Sequence, residues 1–183
     1  MPSPVFLVEG QTEKLFIEQL CPGAKILRLE INGRNVAIDA IVARAASLIR
    51  LQQGRTSPSI ILFDREERPE PANAIAQEFS NKLGRILPAE RIVVGVADRM
   101  IENWILADWD SLRSLVPNLP QAPTTTDGLK GNVVLRRLLG SYSKTLDGPR
   151  LLRSARATFI QLQSQSFAAF RAQLTVPCPW LYR

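Results

Sequence analysis

Short apolar segments that alternate with helix-forming segments are the feature that most constrains the fold of this chain. Residues 5–8, 25–31, 59–63 and 91–97 are apolar or alternating runs of strand length, and the segments between them carry apolar residues at helical spacing. Strands that alternate with helices form a mostly parallel sheet covered on both faces. We therefore predict an α/β fold with a mostly parallel four-stranded sheet flanked by helices.

The predicted helices surround and follow these strands. The first spans residues 12–20, with Thr12 as its N-cap. The others span 35–52, 71–83 (ended by Gly84), 100–112, 132–139, 150–162 and 167–174. A Pro- and Thr-rich loop over 117–128 begins the second predicted domain. The chain is thus predicted to consist of an α/β domain, 1–116, and a basic helical C-terminal extension, 117–183, packed on it.

Charge is distributed unevenly along the chain. Residues 1–110 contain 15 acids and 13 bases, whereas residues 111–183 contain 2 acids and 10 bases, most of them arginine. Arginine suits bidentate contact with phosphates. A basic half joined to an acidic half therefore favours a polyanion held beside a metal site. The alternative is a soluble protein with a basic surface that does not bind nucleic acid.

Several classes of protein are excluded by composition. The chain contains no histidine, so Ser-His and Cys-His nucleophile schemes and His-ligated zinc sites are ruled out. No apolar run approaches the roughly 18–20 residues of a membrane span, and the apolar run at the N-terminus is too short for a signal peptide. Cys21 and Cys178 show neither a metal-binding spacing nor a disulfide framework. We therefore expect a cytoplasmic protein without a membrane partner.

Acidic residues come directly after three of the predicted strands. Glu9 follows the first strand, Asp64 the third and Asp98 the fourth. Ligands of open parallel sheets lie beyond the carboxyl ends of the strands, so these side chains are expected at one edge. Carboxylates gathered there repel one another. A hard divalent cation, Mg²⁺ or Mn²⁺, would relieve that repulsion.

Further acids lie close to these strand ends in the sequence. Glu13 falls in the first turn of the first helix, Glu66 in the loop after Asp64, and Glu102 at the start of a later helix. Glu13 has the alternative role of a favourable charge at a helix N-terminus, and Glu66 that of a solvated loop residue. Asp98 is interpreted as a helix N-cap, and Asp108 as an exposed residue. The predicted metal ligands are therefore Glu9, Glu13, Asp64, Glu66 and Glu102.

Short motifs in the chain resemble a known superfamily. "VEGQTE", residues 8–13, and "DRE", residues 64–66, resemble the acidic motifs of the TOPRIM fold, which occurs in topoisomerases, primases and the OLD family of nucleases. Further along, "IENWILAD", "YSKTLDGP" and "SQSFAAF" resemble a small stand-alone branch of bacterial TOPRIM-like proteins. The resemblance runs along nearly the whole chain. It implies a TOPRIM-like, Rossmann-like sheet.

The resemblance also implies roles for single residues. Glu9 and Glu13 would serve the metals, and Glu102 would be the third acidic element. Lys144, in "YSK", would be a basic group near the phosphate. Glu66 stands where the family has aspartate and adds one methylene group. Relatives often occur beside ATPases in phage defence, so a partner ATPase and a role in bacterial defence or DNA processing are expected.

The leading hypothesis is Mg²⁺-dependent phosphodiester chemistry on nucleic acid, most simply cleavage by a nuclease. The expected catalytic residues are Glu9, Asp64 and Lys144. The expected nucleic-acid contacts, with DNA favoured over RNA, are Arg136, Arg137, Arg150, Arg153 and Arg156. The last three are spaced three residues apart and are expected near one face of a helix.

Two alternatives accompany this hypothesis. In the first, the same acids bind one metal ion or none, and the chain is a non-catalytic module that binds nucleic acid or regulates a partner ATPase. The chain has no P-loop motif, so any use of ATP would belong to that partner. In the second, the chain is a receiver-like phosphotransfer domain centred on Asp64, although the usual pair of aspartates after the first strand is missing.

Overall fold

The computed structural model describes residues 3–31, 33, 35–176 and 178–182, in which four strands form one sheet. The strands are β1 (Ser3–Val8), β2 (Lys25–Arg28), β3 (Thr56–Asp64) and β4 (Ile92–Ala97). All three strand pairings are parallel. The predicted α/β class, with a four-stranded sheet flanked by helices, is confirmed.

The order of the strands, β2-β1-β3-β4, positions the carboxyl ends that matter for function. Val8 of β1 pairs with Arg28 of β2 on one side and with Leu62 of β3 on the other. The chain thus adds β2 on one side of β1, then crosses back to add β3 and β4 on the other. The direction of the connections reverses between β1 and β3, and ligands of open α/β sheets bind in the crevice at such a point.

Nine α-helices and one short 3₁₀ helix lie within the described residues. The 3₁₀ helix spans Pro179–Tyr182. The α-helices are α1 (Gln11–Leu20), α2 (Ile38–Leu51), α3 (Ala72–Ile86), α4 (Glu102–Ala107), α5 (Trp109–Leu115), α6 (Gly131–Leu139), α7 (Asp147–Ser154), α8 (Ala157–Gln163) and α9 (Gln165–Arg171). In the part of the chain that the structure describes, no helix combines the length and the apolar composition that crossing a membrane requires.

Each face of the sheet has its own hydrophobic cluster. Successive side chains of a strand point to opposite faces, so Val5 and Leu7 join one cluster, whereas Phe6 and Val8 join the other. The first cluster is completed by α2 and α3. The second contains buried residues of both predicted parts of the chain, from Phe6 to Leu181. Helices of the segment 117–183 therefore cover one face of the sheet directly.

The contact between α9 and β4 depends on a glycine. A Cβ atom added at Gly95 of β4 would lie 2.4 Å from the ring of Phe170. The ring of Phe170 stacks on Trp104, with 5.9 Å between the ring centroids, and Phe167 packs edge-on against the same indole at 4.9 Å. Gly95 thus allows the aromatic side chains of α9 to lie directly on the edge of the sheet.

Two of the predicted helices are broken, and both breaks involve Asp108. The predicted helix 100–112 divides at this residue, whose side chain caps α5 by accepting a hydrogen bond from the N–H of Ser111 (3.3 Å). The predicted helix 150–162 divides before Arg156, whose N–H donates to the same carboxylate (2.8 Å). A buried carboxylate therefore takes amide donors from two segments that are distant in the sequence.

The predicted helix ends near Thr12 and Gly84 are also wrong. Gly10 is the N-cap of α1, and its N–H donates to the carboxylate of Glu13 (2.9 Å), so Thr12 lies inside the helix and is not its N-cap. Gly84 lies within α3, which continues to Ile86. Glycine lowers the propensity for helix by only about 1 kcal/mol, and the apolar face of α3 outweighs that cost.

The two cysteines form a disulfide, and the expectation that they stay unpaired is wrong. Cys21 follows α1 directly, and Cys178 precedes the 3₁₀ helix; their Cα atoms lie 4.9 Å apart. Since 157 residues separate them in the sequence, only the fold brings them together. Disulfides persist mainly in oxidising compartments, so the cytoplasmic location stays a prediction.

Candidate functional site

Two carboxylates meet at the crevice between β1 and β3. Glu9 follows β1, and its Oε2 accepts a hydrogen bond from the N–H of Asp64 (3.2 Å). Asp64 is the last residue of β3, and its Oδ1 accepts a hydrogen bond from the N–H of Ile101 (2.9 Å). This second bond attaches the beginning of α4 to the crevice and brings Glu102, the next residue, to the same place.

Glu13 and Glu102 complete a group that we call the acid cluster: Glu9, Glu13, Asp64 and Glu102. The side chain of Glu102 is fully buried. Its Oε1 lies 3.4 Å from the Nζ of Lys144 and 3.5 Å from the hydroxyl of Tyr142. Its Oε2 has no hydrogen-bond partner among the described residues. Because a buried oxygen without a donor is costly, this atom is available to a cation.

Three carboxyl groups of the acid cluster have a raised pKa. Burial raises the pKa of Glu9 to about 7, with smaller contributions from Glu13 and Glu66 and an opposing one from the Asp64 amide. Burial, followed by the charges of Glu13, Glu102 and Glu9, raises the pKa of Asp64 well above its usual value. Burial also raises the pKa of Glu13, and Glu102 adds to that increase. The cluster therefore favours a bound cation or protons.

Lys144 brings a positive charge to the acid cluster. Burial alone would lower the pKa of its ammonium group, but Glu102 and Asp64 raise it above the usual value. The loop 140–146, which we call the Lys144 loop, joins α6 to α7 and is anchored where the N–H of Ser143 donates to Asp147 (2.8 Å). Among the described residues, Lys144 alone forms an ion pair with a member of the cluster.

The donor atoms of the acid cluster fit a hard divalent cation. Carboxylate oxygens are preferred by Mg²⁺ and Mn²⁺, and the unpartnered Oε2 of Glu102 is such an atom. Among the described residues, no group of three or more acidic or cysteine side chains is already arranged to hold a metal ion. The mutual repulsion of the carboxylates opposes their closer approach until a cation is present.

Glu66 lies near the cluster, but its carboxylate has other partners. Its Oε2 accepts a hydrogen bond from the N–H of Asn35 and lies 3.9 Å from the guanidinium of Arg68. Arg68 also donates to the carbonyl of Val36 (2.7 Å), and the side chain of Asn35 accepts from the N–H of Glu67 (3.2 Å). The loop before α2 and the loop after β3 are therefore joined by hydrogen bonds. The assignment of Glu66 as a metal ligand stays a prediction.

Two other acids have roles that differ from those expected. Asp98 forms an ion pair with Arg65 instead of capping a helix, since Ile101 is the N-cap of α4. Asp108 is buried rather than exposed and accepts hydrogen bonds from the backbone and the guanidinium of Arg156 (2.7–2.8 Å). Although burial acts to raise the pKa of Asp108, these bonds hold it at about 2.

Four of the predicted nucleic-acid contacts are exposed and flank the Lys144 loop. Two belong to the last turn of α6, and the other two to α7. Within the described residues, Arg150 lies 3.6 Å from Asp147, and the other three form no ion pair. These exposed arginines, which we call the arginine surface, are Arg136, Arg137, Arg150 and Arg153.

Arg156 does not belong to the arginine surface. It lies beyond the end of α7, at the N-cap of α8, so it does not share a helix face with Arg150 and Arg153 as expected. Its guanidinium is held by Asp108 and lies 3.5 Å from the ring centroid of Phe159. We assign Arg156 to the stability of the fold.

Tyr142 and Arg68 are two site residues that sequence reasoning did not identify. Tyr142 is buried beside Glu102, and a Cβ atom added at Gly148 would lie 2.7 Å from its hydroxyl. Its position two residues before Lys144 was the one available signal. Arg68 is only 9% exposed, and it donates to the carbonyl of Asp64 (3.2 Å). Nothing in an acidic loop sequence indicates that its arginine is buried.

A family model described as a domain of unknown function, DUF4276, matches residues 8–175. No curated protein and no solved structure matches the chain.

Proposed function

Because the chain belongs to the DUF4276 family, whose description assigns no activity, we propose its function from its own site: divalent-metal-dependent phosphodiester chemistry on nucleic acid, most simply cleavage. One observation carries the proposal. Glu102 is fully buried at the carboxyl edge of a parallel sheet, among three other acids, and one of its oxygens has no partner in the described part of the chain. A divalent cation supplies the partner that this oxygen lacks.

In this proposal, all four residues of the acid cluster are metal ligands. Asp64 and Glu9 approach from the two central strands, whereas Glu13 and Glu102 approach from the first turns of α1 and α4. When bound, Mg²⁺ or Mn²⁺ supplies Lewis-acid activation of water and of a phosphoryl oxygen. The absence of histidine is compatible with such chemistry, because the carboxylates serve as ligands.

The positive groups nearby support a polyanionic substrate. The Lys144 loop lies between the two helices that carry the arginine surface, so positive charge borders the acid cluster. Lys144 is proposed to offset charge on the phosphate that reacts, and the arginines to bind neighbouring phosphates. DNA is favoured over RNA in this proposal. Kinship with TOPRIM-like nucleases, a partner ATPase and a role in bacterial defence belong to the same proposal.

Cleavage assays test this function directly. Labelled single- and double-stranded DNA and RNA would be incubated with the purified chain in Mg²⁺, Mn²⁺ or a chelator. We expect cleavage that requires metal and that falls by about 10³-fold in Glu102→Gln, since one metal-binding oxygen is lost. The matched control is Glu67→Gln, which removes an acid that pairs with Lys130 and Arg99 outside the cluster. Equal cleavage by Glu102→Gln and wild type would refute the assignment of the site.

A non-catalytic module is the second candidate, and one observation favours it. Lys144 already provides a positive charge beside Glu102, so the acid cluster has a counter-charge without a bound metal. In this case the chain would bind nucleic acid, or regulate a partner, without cleaving it. Metal-dependent binding of nucleic acid without cleavage, under every condition of the assay above, would favour this alternative.

The arginine surface makes a second, independent prediction. Replacing Arg150 and Arg153 together by alanine should weaken the salt dependence of DNA binding. Each duplex phosphate contact contributes a slope of roughly −0.9 to a plot of log affinity against log salt, so the slope should flatten by about 1 to 2 units. Fluorescence anisotropy at several salt concentrations measures this.

The control for that experiment removes the same charge from another part of the surface. Arg50 and Arg85 are exposed in the last turns of α2 and α3. These turns lead into the beginnings of β3 and β4, at the edge of the sheet opposite to the carboxyl ends of the strands. Their double alanine variant should keep the wild-type slope. If both double variants flatten the slope equally, the binding surface is not where we place it.

A further inference from the structure

The ion pair between Lys144 and Glu102 joins an exposed group to a buried one. The side chain of Lys144 is 43% exposed, whereas that of Glu102 is fully buried. Lys144 also interacts electrostatically with Asp64 and Glu13, so its positive charge attracts three carboxylates of the cluster. In the described part of the chain, the other three acids of the cluster form no ion pair. The charge of Lys144 therefore partly neutralises the cluster when no metal is present.

The same position suits a divalent cation better than an ammonium group. One carboxylate oxygen of Glu102, Oε1, contacts Lys144 and Tyr142. The other, Oε2, is buried and has no hydrogen-bond partner among the described residues. An ammonium group has three donors on a flexible stem, yet it leaves this second oxygen without a hydrogen bond. A cation that coordinates several oxygens at once could satisfy it. Two cations beside one carboxylate repel each other strongly in a poorly solvated site.

Lys144 is able to leave without unfolding its loop. The backbone of the Lys144 loop is held at α7, where the N–H groups of Asp147 and Gly148 donate to the carbonyl of Ser143 (2.9 and 3.2 Å). Ser143 in turn donates its N–H to the Asp147 carboxylate (2.8 Å). Because the four-carbon stem of lysine rotates freely, the ammonium group can swing outward while the backbone keeps its anchors.

We propose that Lys144 is a built-in counter-cation that competes with the divalent metal for the carboxylate of Glu102, so that metal binding expels its ammonium group towards solvent. This inference rests on the proposed metal-dependent function and adds a means of regulation to it. The expelled group becomes free to pair with a substrate phosphate. Nucleic acid that attracts Lys144 outward therefore also favours metal binding, because coupling between two ligands is reciprocal.

The test is the affinity of the full chain for Mn²⁺ in the absence of any substrate. Isothermal titration calorimetry would compare wild type with Lys144→Met, which keeps the stem and removes the charge. We expect Lys144→Met to bind Mn²⁺ about tenfold more tightly, because a competing positive charge has been removed. The metal-free variant should melt at a lower temperature than wild type, since the cluster loses its counter-charge, and saturating Mn²⁺ should raise its melting temperature by more.

Two further variants separate charge from other effects. Lys144→Arg keeps a cation and should bind Mn²⁺ with an affinity close to that of wild type. Lys130→Met removes a lysine that pairs with Glu67 (2.9 Å), outside the acid cluster, and should also leave the affinity unchanged. If Lys144→Met is too unstable to purify, Lys144→Gln takes its place, because it removes the charge and keeps a polar N–H donor on the side chain.

Each outcome bears on the inference. Mn²⁺ binding by wild type with equal or weaker binding by Lys144→Met overturns the inference and leaves the proposed function intact. Binding by Lys144→Met alone supports competition in its strongest form. No binding by either protein overturns the proposed function and this inference with it.

Discussion

Asp64→Asn is expected to make the metal-free protein more stable at pH 8 than the wild type, by about 1 to 3 kcal/mol. Asp64 is a carboxyl group whose pKa is raised by burial and by the charges of Glu13, Glu102 and Glu9, so ionising it costs free energy. Asparagine has the same shape and keeps an oxygen for the N–H of Ile101. The same substitution should abolish metal binding and cleavage, because a ligand is lost.

The stability of the metal-free protein should depend on pH, because the pKa values of Glu9 and Asp64 are raised in the folded state. Burial raises the pKa of Glu9 from an ordinary 4.5 to about 7 in the folded state, so between these values the folded protein binds more protons than the unfolded chain. The free energy of unfolding of the metal-free wild type therefore falls as pH rises through that window. For each extra proton that the folded state binds, the fall is up to about 1.4 kcal/mol per pH unit. Asp64 adds to the fall, so Asp64→Asn should flatten it.

Urea denaturation in a chelator at pH 5, 6, 7 and 8 measures both effects. Asp39→Asn is the matched control, because Asp39 is 78% exposed and pairs with Lys82 on the surface. It should change the free energy of unfolding by less than about 1 kcal/mol at every pH. A loss of stability in Asp64→Asn at pH 8 would mean that the negative charge of Asp64 is compensated in the folded protein, and that Asp64 is a structural residue.

Reduction of the disulfide should have the other large effect on stability. Cys21 and Cys178 are 157 residues apart in the sequence, and a bridge that closes so long a loop removes much of the entropy of the unfolded chain. By the chain-entropy relation the loss on reduction is at most about 5 kcal/mol, and measured values are typically 2–4. We therefore expect a thiol reductant to lower the free energy of unfolding by about 2 to 5 kcal/mol.

The double variant Cys21→Ser/Cys178→Ser provides the control for this experiment. It should have the stability of the reduced wild type and should not respond to reductant. Both cysteines lie in the same hydrophobic cluster, so serine adds a small cost of its own. Equal stability of the wild type with and without reductant, together with two titratable thiols after denaturation without reductant, would show that the bridge does not form.

The sheet was predictable from sequence because its signals are local. Each strand is a short apolar run, and such runs separated by helical patterns favour parallel pairing. The positions of Glu9 and Asp64 followed from the same logic, since each comes directly after an apolar run at the centre of the sheet. The hydrogen bond between Glu9 and the Asp64 amide joins these two strand ends (3.2 Å).

What sequence reasoning missed depends on contacts between distant segments. The sequence predicts an exposed Asp108, yet its carboxylate is buried and binds Arg156, 48 residues later. The cysteine pair is separated still more widely. The sequence predicts Asp98 as a helix N-cap, whereas its carboxylate pairs with Arg65, in the loop after another strand. In each case the pattern around a residue says nothing about the partner that the fold brings to it.

The mixed origin of the second hydrophobic cluster has a consequence for synthesis on the ribosome. Phe6 and Val8 leave the exit tunnel before Phe167, Trp180 and Leu181, which cover the same face of the sheet and are made more than 150 residues later. Until then the nascent chain carries a sheet face that it cannot cover by itself. Apolar surface exposed in this way attracts chaperones and promotes aggregation, so the yield of folded protein depends on protection of that face during translation.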